Sequence, residues 1–174
     1  IDFADSANPF EIAYFDRGPI HEEYLIAGGF WSAYWYNGRI YGTEIVRGLD
    51  VLALVPSEYL SENEIAAASM ADQGGRFNPQ QQFRVSWPAD PVVARAYIDQ
   101  LKRGNALPES VMTDLIAALD NAASQLENGG HDKELVSKLD SLAATLVNDS
   151  SDAITTRQLT ALAGTLNGIA TRLR

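Results

Sequence analysis

At 174 residues the chain is long enough for one large or two small domains. Its 23 acidic residues against 13 basic ones give a net charge of −10, which argues against gripping a nucleic-acid phosphate backbone, a task for clustered Lys and Arg. It contains no cysteine, which excludes disulfide stapling and thiol catalysis, and no run approaches the ~20 apolar residues of a membrane span.

Composition divides the chain unevenly. Every aromatic residue but Tyr97 lies before residue 90. Residues 1–89 hold 12 acidic and 5 basic residues, and residues 90–174 hold 11 and 8, so the net charges are −7 and −3. Two parts with different chemistry are therefore expected. No stretch reads as a signal peptide. The start at Ile1, within a motif, suggests a processed product or one piece of a larger polypeptide.

The opening IDFADSANPFEIAYFDRGP reads as two short β runs around a turn begun by Asp2 or Asp5, with Asn8-Pro9 directing the chain into an extended Glu11–Phe15. Between Trp31 and Pro56 three β-rich runs follow: Trp31–Tyr36, Arg39–Val46 and Leu49–Val55. Asn37-Gly38 and Arg47-Gly48 join them, and Asn-Gly between two such runs is a strong hairpin signal because both residues tolerate positive φ. This predicts an antiparallel β-meander. Alternation within the first run would put Trp31 and Trp35 on one face and Tyr34 and Tyr36 on the other. A faint repeat of about 48 residues pairs Ile1-Asp2-Phe3 with Leu49-Asp50-Val51, near the length of one β-propeller blade.

After Pro56 the period changes. Ser61-Glu62-Asn63-Glu64 has capping-box spacing and opens a short helix through Ala71. Residues 72–89 form a Gln/Gly/Pro-rich connector, whose Phe77, Phe83 and Trp87 imply that it packs against the protein. Asp90-Pro91 is an N-cap and first-turn pair for a helix striped by Val93, Tyr97 and Leu101. Three further stripes follow: Val111, Leu115, Leu119, Ala122 and Leu126; Leu135, Leu139, Leu142 and Leu146; and Leu159, Leu162, Leu166, Ile169 and Leu173. Each obeys the i, i+3/i+4 rule, and the short loops favour antiparallel neighbours. Leu115, Leu119, Ala122 and Leu126 match Leu162, Leu166, Ile169 and Leu173 at a constant offset of 47. The expectation is a duplicated helical hairpin that closes into a four-helix antiparallel bundle.

The N-terminal residues IDFADSANPFEIAYFDRGP, followed by GGFWSAYWYNGRIYGTEIVRGLDVLALVPSE, resemble the C-terminal region of bacterial exported proteins built from LVIVD-type repeats. The matching steps are the Asp-to-Asn-Pro turn, the Tyr-Asn-Gly hairpin and the Arg-Gly-Leu-Asp-Val turn into a last strand. The resemblance covers residues 1–90 and implies export and a β-propeller whose final blade this segment would be. The tail is similar to the helical extension that some of these proteins carry. A propeller needs several four-stranded blades, so the resemblance implies that the remaining blades come from elsewhere, as a separate or cleaved chain.

Candidate chemistry is sparse. Among possible metal ligands, His21-Glu22-Glu23 lies in a turn, where His21 and Glu22 are candidates for a divalent ion; adjacent side chains seldom face one site, and a solvated loop is the simpler reading. Asn148, Asp149 and Asp152 offer oxygens, but without the alternating pattern of an EF-hand, and a helix cap at Ser151 or Asp152 explains them. No Gly-x-Ser-x-Gly elbow occurs, and no cofactor is expected. Glu44 and Asp50 flank Arg47 inside the strongest motif, and Asp16-Arg17 could join them. A structural network that pins strand register is favoured over a ligand site in a propeller channel. Trp31 and Trp35 could stack on sugars, although packing between blades explains them as well.

The chain is thus read as α+β: a propeller-type blade over 1–57, a short helix and packed connector over 58–89, and a four-helix bundle over 90–174. The expected function is a structural or interaction segment that completes a propeller sheet and presents a helical module to a cell-surface or self-assembly partner. The alternatives are part of a metal-dependent or hydrolytic propeller enzyme, and a surface carbohydrate-binding adhesin.

Overall fold

The computed structural model describes residues 1–75, 78–81, 84–146 and 152–174. It is an α+β chain: a three-stranded antiparallel sheet precedes five α-helices among the described residues. The chain divides into two compact units, Ile1–Ser86 and Trp87–Arg174.

In the first unit the strands are β1 (Phe30–Tyr36), β2 (Arg39–Glu44) and β3 (Gly48–Leu52), in the order β1-β2-β3. Asn37 and Gly38 take φ of 47° and 74°, the two left-handed residues of a type I′ turn, and Tyr36 faces Arg39 across it. The turn sets the register, with Tyr34 opposite Tyr41 and Ile40 opposite Leu52. Close packing also demands Gly38, because a Cβ there would stand 2.8 Å from the Ser69 hydroxyl.

Several expectations for this unit need correction, among them the third run, whose strand ends at Leu52 rather than Val55. Ile45 and Val46 leave the ladder despite their β-branched side chains, because the Glu44 carboxylate folds back onto the N–H groups of Val46 and Arg47 and makes a turn. The two runs at the start reduce to one isolated bridge between Asp2 and Phe10, with N···O distances of 2.8 and 3.2 Å. Glu11–Phe15 is not a strand, since no described strand lies beside it. The Asx turn between these runs does form, with Asp5 accepting from Ala7 N–H at 3.0 Å and from the Asn8 amide at 2.7 Å.

Helix α1 spans Glu62–Ser69. Its capping box is complete: the Ser61 hydroxyl accepts from Glu64 N–H at 3.1 Å, and the Glu64 carboxylate accepts from Ser61 N–H at 2.7 Å. The helix stops at Ser69, two residues short of Ala71. Phe77 and Phe83 of the connector lie outside the described residues, and Trp87 is 46% exposed.

The second unit holds α2 (Pro91–Arg103), α3 (Glu109–Glu127), α4 (Lys133–Leu146) and α5 (Ala153–Arg172). Asp90 caps α2 through Val92 N–H at 2.9 Å, with Pro91 in the first turn. Asp152 caps α5 by accepting from the N–H groups of Ile154 and Thr155, while Asn148, Asp149 and Ser151 lie outside the described residues. Helix α5 packs on α2 and α4, and α3 touches the same two helices. The leucine stripes meet in one cluster, in which Leu101, Leu115, Leu119, Leu139, Leu162 and Leu166 are fully buried.

The two units bury their apolar surface very differently. Of the described buried hydrophobic residues, only Ala67 belongs to the first unit. Conversely, the large hydrophobics left exposed lie in the first unit, with the exceptions of Trp87 and Ile116. A sheet normally covers at least one face against a core. Tyr34, Tyr36, Leu49 and Val51 lie on one face of this sheet by strand alternation, and all four are exposed.

Candidate functional site

The β2–β3 turn bears the most concentrated polar chemistry of the first unit. Glu44 ends β2 and is only 5% exposed. Its Oε1 accepts from Gly29 N–H at 2.7 Å, and its Oε2 accepts from Val46 N–H at 2.8 Å and from Arg47 N–H. Gly29 N–H is the strongest cause holding the carboxyl below its ordinary value of 4.5; the amides of Arg47 and Val46 and the Arg47 charge add to it against desolvation. Gly28-Gly29 makes this approach possible, because a Cβ on Gly28 would sit 3.2 Å from the carboxylate and Gly29 has φ of 108°.

Arg47 points elsewhere. Its guanidinium donates to the carbonyls of Gly18 and Pro19, at 2.9 and 3.1 Å. Arg17 forms a two-pronged pair with Asp50 on β3, at 3.1 and 2.5 Å. Asp16 accepts from Arg17 N–H at 2.7 Å. These contacts strap the segment from Asp16 to Gly29 onto the sheet at three points: Arg17 on β3, residues 18–19 on Arg47, and Gly29 on Glu44. The expected Glu44, Arg47, Asp50, Asp16 and Arg17 do gather in one region, but as two separate sets of contacts.

The strapped segment encloses, with Glu44 and Arg47, a concavity of about 540 Å³ whose rim carries His21, Glu22 and Tyr24. His21 Nδ1 accepts from the N–H groups of Glu23 and Tyr24, at 3.0 and 3.2 Å, and its ring lies 4.7 Å from that of Tyr24. That use of Nδ1 leaves Nε2 to carry the proton in the neutral ring. Among the described residues, no three His, Asp or Glu side chains converge as a metal would require. The buried polar atoms beside the concavity are satisfied, since no described buried side-chain N or O lacks a hydrogen-bond partner, while His21, Glu22, Glu23 and Tyr24 are exposed.

Trp31 and Trp35 do not form the expected pair on one face. The register shifts between Phe30 and Ser32, so Trp31 sits in an irregularity where alternation fails. Trp31 is 75% exposed, whereas Trp35 is partly covered. Phe30 instead lies over Gly42, where a Cβ would stand 2.7 Å from the ring.

Sequence reasoning missed Gln73. This residue follows α1, beside the isolated bridge between Asp72 and Ser86. Its side-chain amide donates to Trp35 C=O at 3.1 Å and accepts from Asn37 N–H at 3.3 Å. A glutamine within a Gln/Gly/Pro-rich connector carries no local signal of such a contact.

No described helix is long and apolar enough to cross a membrane. Compared with protein-family models, curated proteins and solved structures, the chain matches none.

Proposed function

We propose that this chain is a non-catalytic assembly piece: the terminal blade of an exported β-propeller, followed by an antiparallel four-helix bundle that docks on the propeller or on a cell-surface partner. The observation that supports it is the contrast in burial. The helical unit closes its own core, whereas the sheet leaves Trp31, Tyr34, Tyr36, Leu49 and Val51 exposed. Such a sheet gains most by joining further strands through main-chain hydrogen bonds and covering its apolar face. The remaining blades would supply both. The enzymatic alternative is less favoured because the Glu44 carboxylate already serves three backbone N–H groups, an arrangement suited to pinning a turn.

Native mass spectrometry of the protein isolated from its source tests this reading. The expected result is this 19.0 kDa sequence held with further β-rich sequence, in one longer polypeptide or in a complex. A lone 19.0 kDa species whose strand amides all resist hydrogen exchange would refute it, because its sheet would need no additional strands.

A further inference from the structure

We propose that the outer edge of β1 is the seam at which the sheet accepts an incoming strand, and that Gln73 holds the turn end of that seam in the strand's absence. The inference rests on the sheet-completion reading above and adds the edge, the register and the occupant's chemistry.

Register supplies the first step. In a two-residue hairpin the closing pair, Tyr36 and Arg39, exchanges hydrogen bonds, and bonded and non-bonded pairs alternate from there. Trp35 opposite Ile40 and Ala33 opposite Gly42 are therefore non-bonded pairs, and their main-chain groups point away from β2. β1 is the sheet's edge, so among the described residues no strand meets those groups.

Gln73 supplies the second. Its carboxamide takes Trp35 C=O and Asn37 N–H together, donating to one and accepting from the other. Trp35 C=O lies on the edge of β1 and Asn37 N–H in the turn that follows it, and a neighbouring main chain would engage both with the same chemistry. The amide thus stands in for a peptide group. Its position is fixed from behind, where Asp72 N–H donates to Ser86 C=O at 2.8 Å and the Asp72 carboxylate accepts from Gly74 N–H at 2.8 Å.

The occupant is an extended peptide with apolar side chains at alternate positions. Its main chain pairs with Ala33 and Trp35, and its apolar side chains extend the surface of Tyr34 and Tyr36, both exposed beside the seam. The sequence of β1, FWSAYWY, carries no charge or proline of the kind that normally blocks edge pairing. The Gln73 amide is the guard at one end, and an arriving strand displaces it to reach Trp35 C=O.

The test uses the full chain and a capped Thr-Val-Thr-Val-Thr-Val peptide as the strand probe, with an alternately N-methylated version that cannot pair along one edge. Hydrogen exchange read residue by residue should slow at Ala33 and Trp35 with the plain peptide and remain unchanged with the methylated one. The Gln73→Ala variant should bind the plain peptide on the order of tenfold more tightly, since two competing hydrogen bonds are gone. Protection at Gly48–Leu52 instead would overturn the choice of edge and leave sheet completion standing. Slow exchange at Ala33 and Trp35 in a lone monomer without peptide would overturn both readings. A peptide-free dimer with those amides protected would overturn the proposed occupant, because the seam would belong to a second copy. No change at either residue, in the native chain or the variant, would overturn the inference outright.

Discussion

Replacing Leu166 by alanine should remove a large share of the helical unit's stability. Leu166 is fully buried on α5 within the cluster shared by α2, α3 and α4. The substitution deletes three carbons, each contributing about 0.8 kcal/mol of transfer free energy, for about 2.4 kcal/mol. A residual cavity of about 60 Å³ at ~24 cal/mol per Å³ adds about 1.4 kcal/mol. The expected cost is therefore about 4 kcal/mol, within the ~2–5 kcal/mol range of buried leucine truncations. Leu142 on α4 is a matched control, since it is only partly buried against the same cluster and should lose roughly half as much. Urea unfolding followed by circular dichroism at the helical minimum measures both, with the slope of the transition expected to stay constant. Equal losses at Leu166 and Leu142, or a loss below about 1 kcal/mol at Leu166, would refute the assignment of the core.

Other expectations concern the β unit and the caps. The Glu44 carboxyl is depressed by its three amide donors, so its contribution is present above the unfolded carboxyl pKa and disappears as pH falls through the lower folded value. Glu44→Gln should flatten the acid dependence of Gly29 and Arg47 amide exchange below pH 4.5, and an unchanged profile would contradict the bonding described. Gly42→Val should disrupt β1–β2 pairing by forcing Phe30 aside, at a cost of about 1–3 kcal/mol, read as faster exchange in β2. Asp152→Ala should loosen the first turn of α5, with Ile154 and Thr155 amides exchanging faster and the middle of the helix unaffected. Burial raises the Tyr97 phenol above its ordinary 10.0, so NMR titration should show it ionising later than an exposed tyrosine.

The features legible in the sequence are those whose cause is local. Asn37-Gly38 names its own turn, Ser61 and Glu64 name their own cap, and the leucine stripes specify which faces meet. Features decided by distant groups were not legible. Ile45 and Val46 have strong β propensity, yet the carboxylate of Glu44 draws the chain into a turn stabilised by Gly29, fifteen positions away. Glu11–Phe15 has a strand's composition but lacks a described strand beside it, and composition cannot supply one. For the candidate site, the sequence brought together Glu44, Arg47, Asp50, Asp16 and Arg17, but not their wiring. Arg47 serves backbone carbonyls and Asp50 serves Arg17, which no spacing rule distinguishes from a single ion-pair cluster. Gln73 meets Trp35 across 38 positions of sequence through one flexible side chain, and that contact has no periodicity to betray it.

The exposed face of Tyr34, Tyr36, Leu49 and Val51 also makes any meeting of separate molecules sensitive to ionic strength. That apolar face favours contact between copies, while the −7 charge of residues 1–89 opposes that contact by long-range repulsion. That repulsion reaches about 30 Å at 0.01 M salt and only about 8 Å at 0.15 M. Dilute buffer should therefore keep separate molecules that physiological salt allows to meet. Light scattering across that range, rather than at a single salt concentration, is the proper description of how this protein behaves in solution.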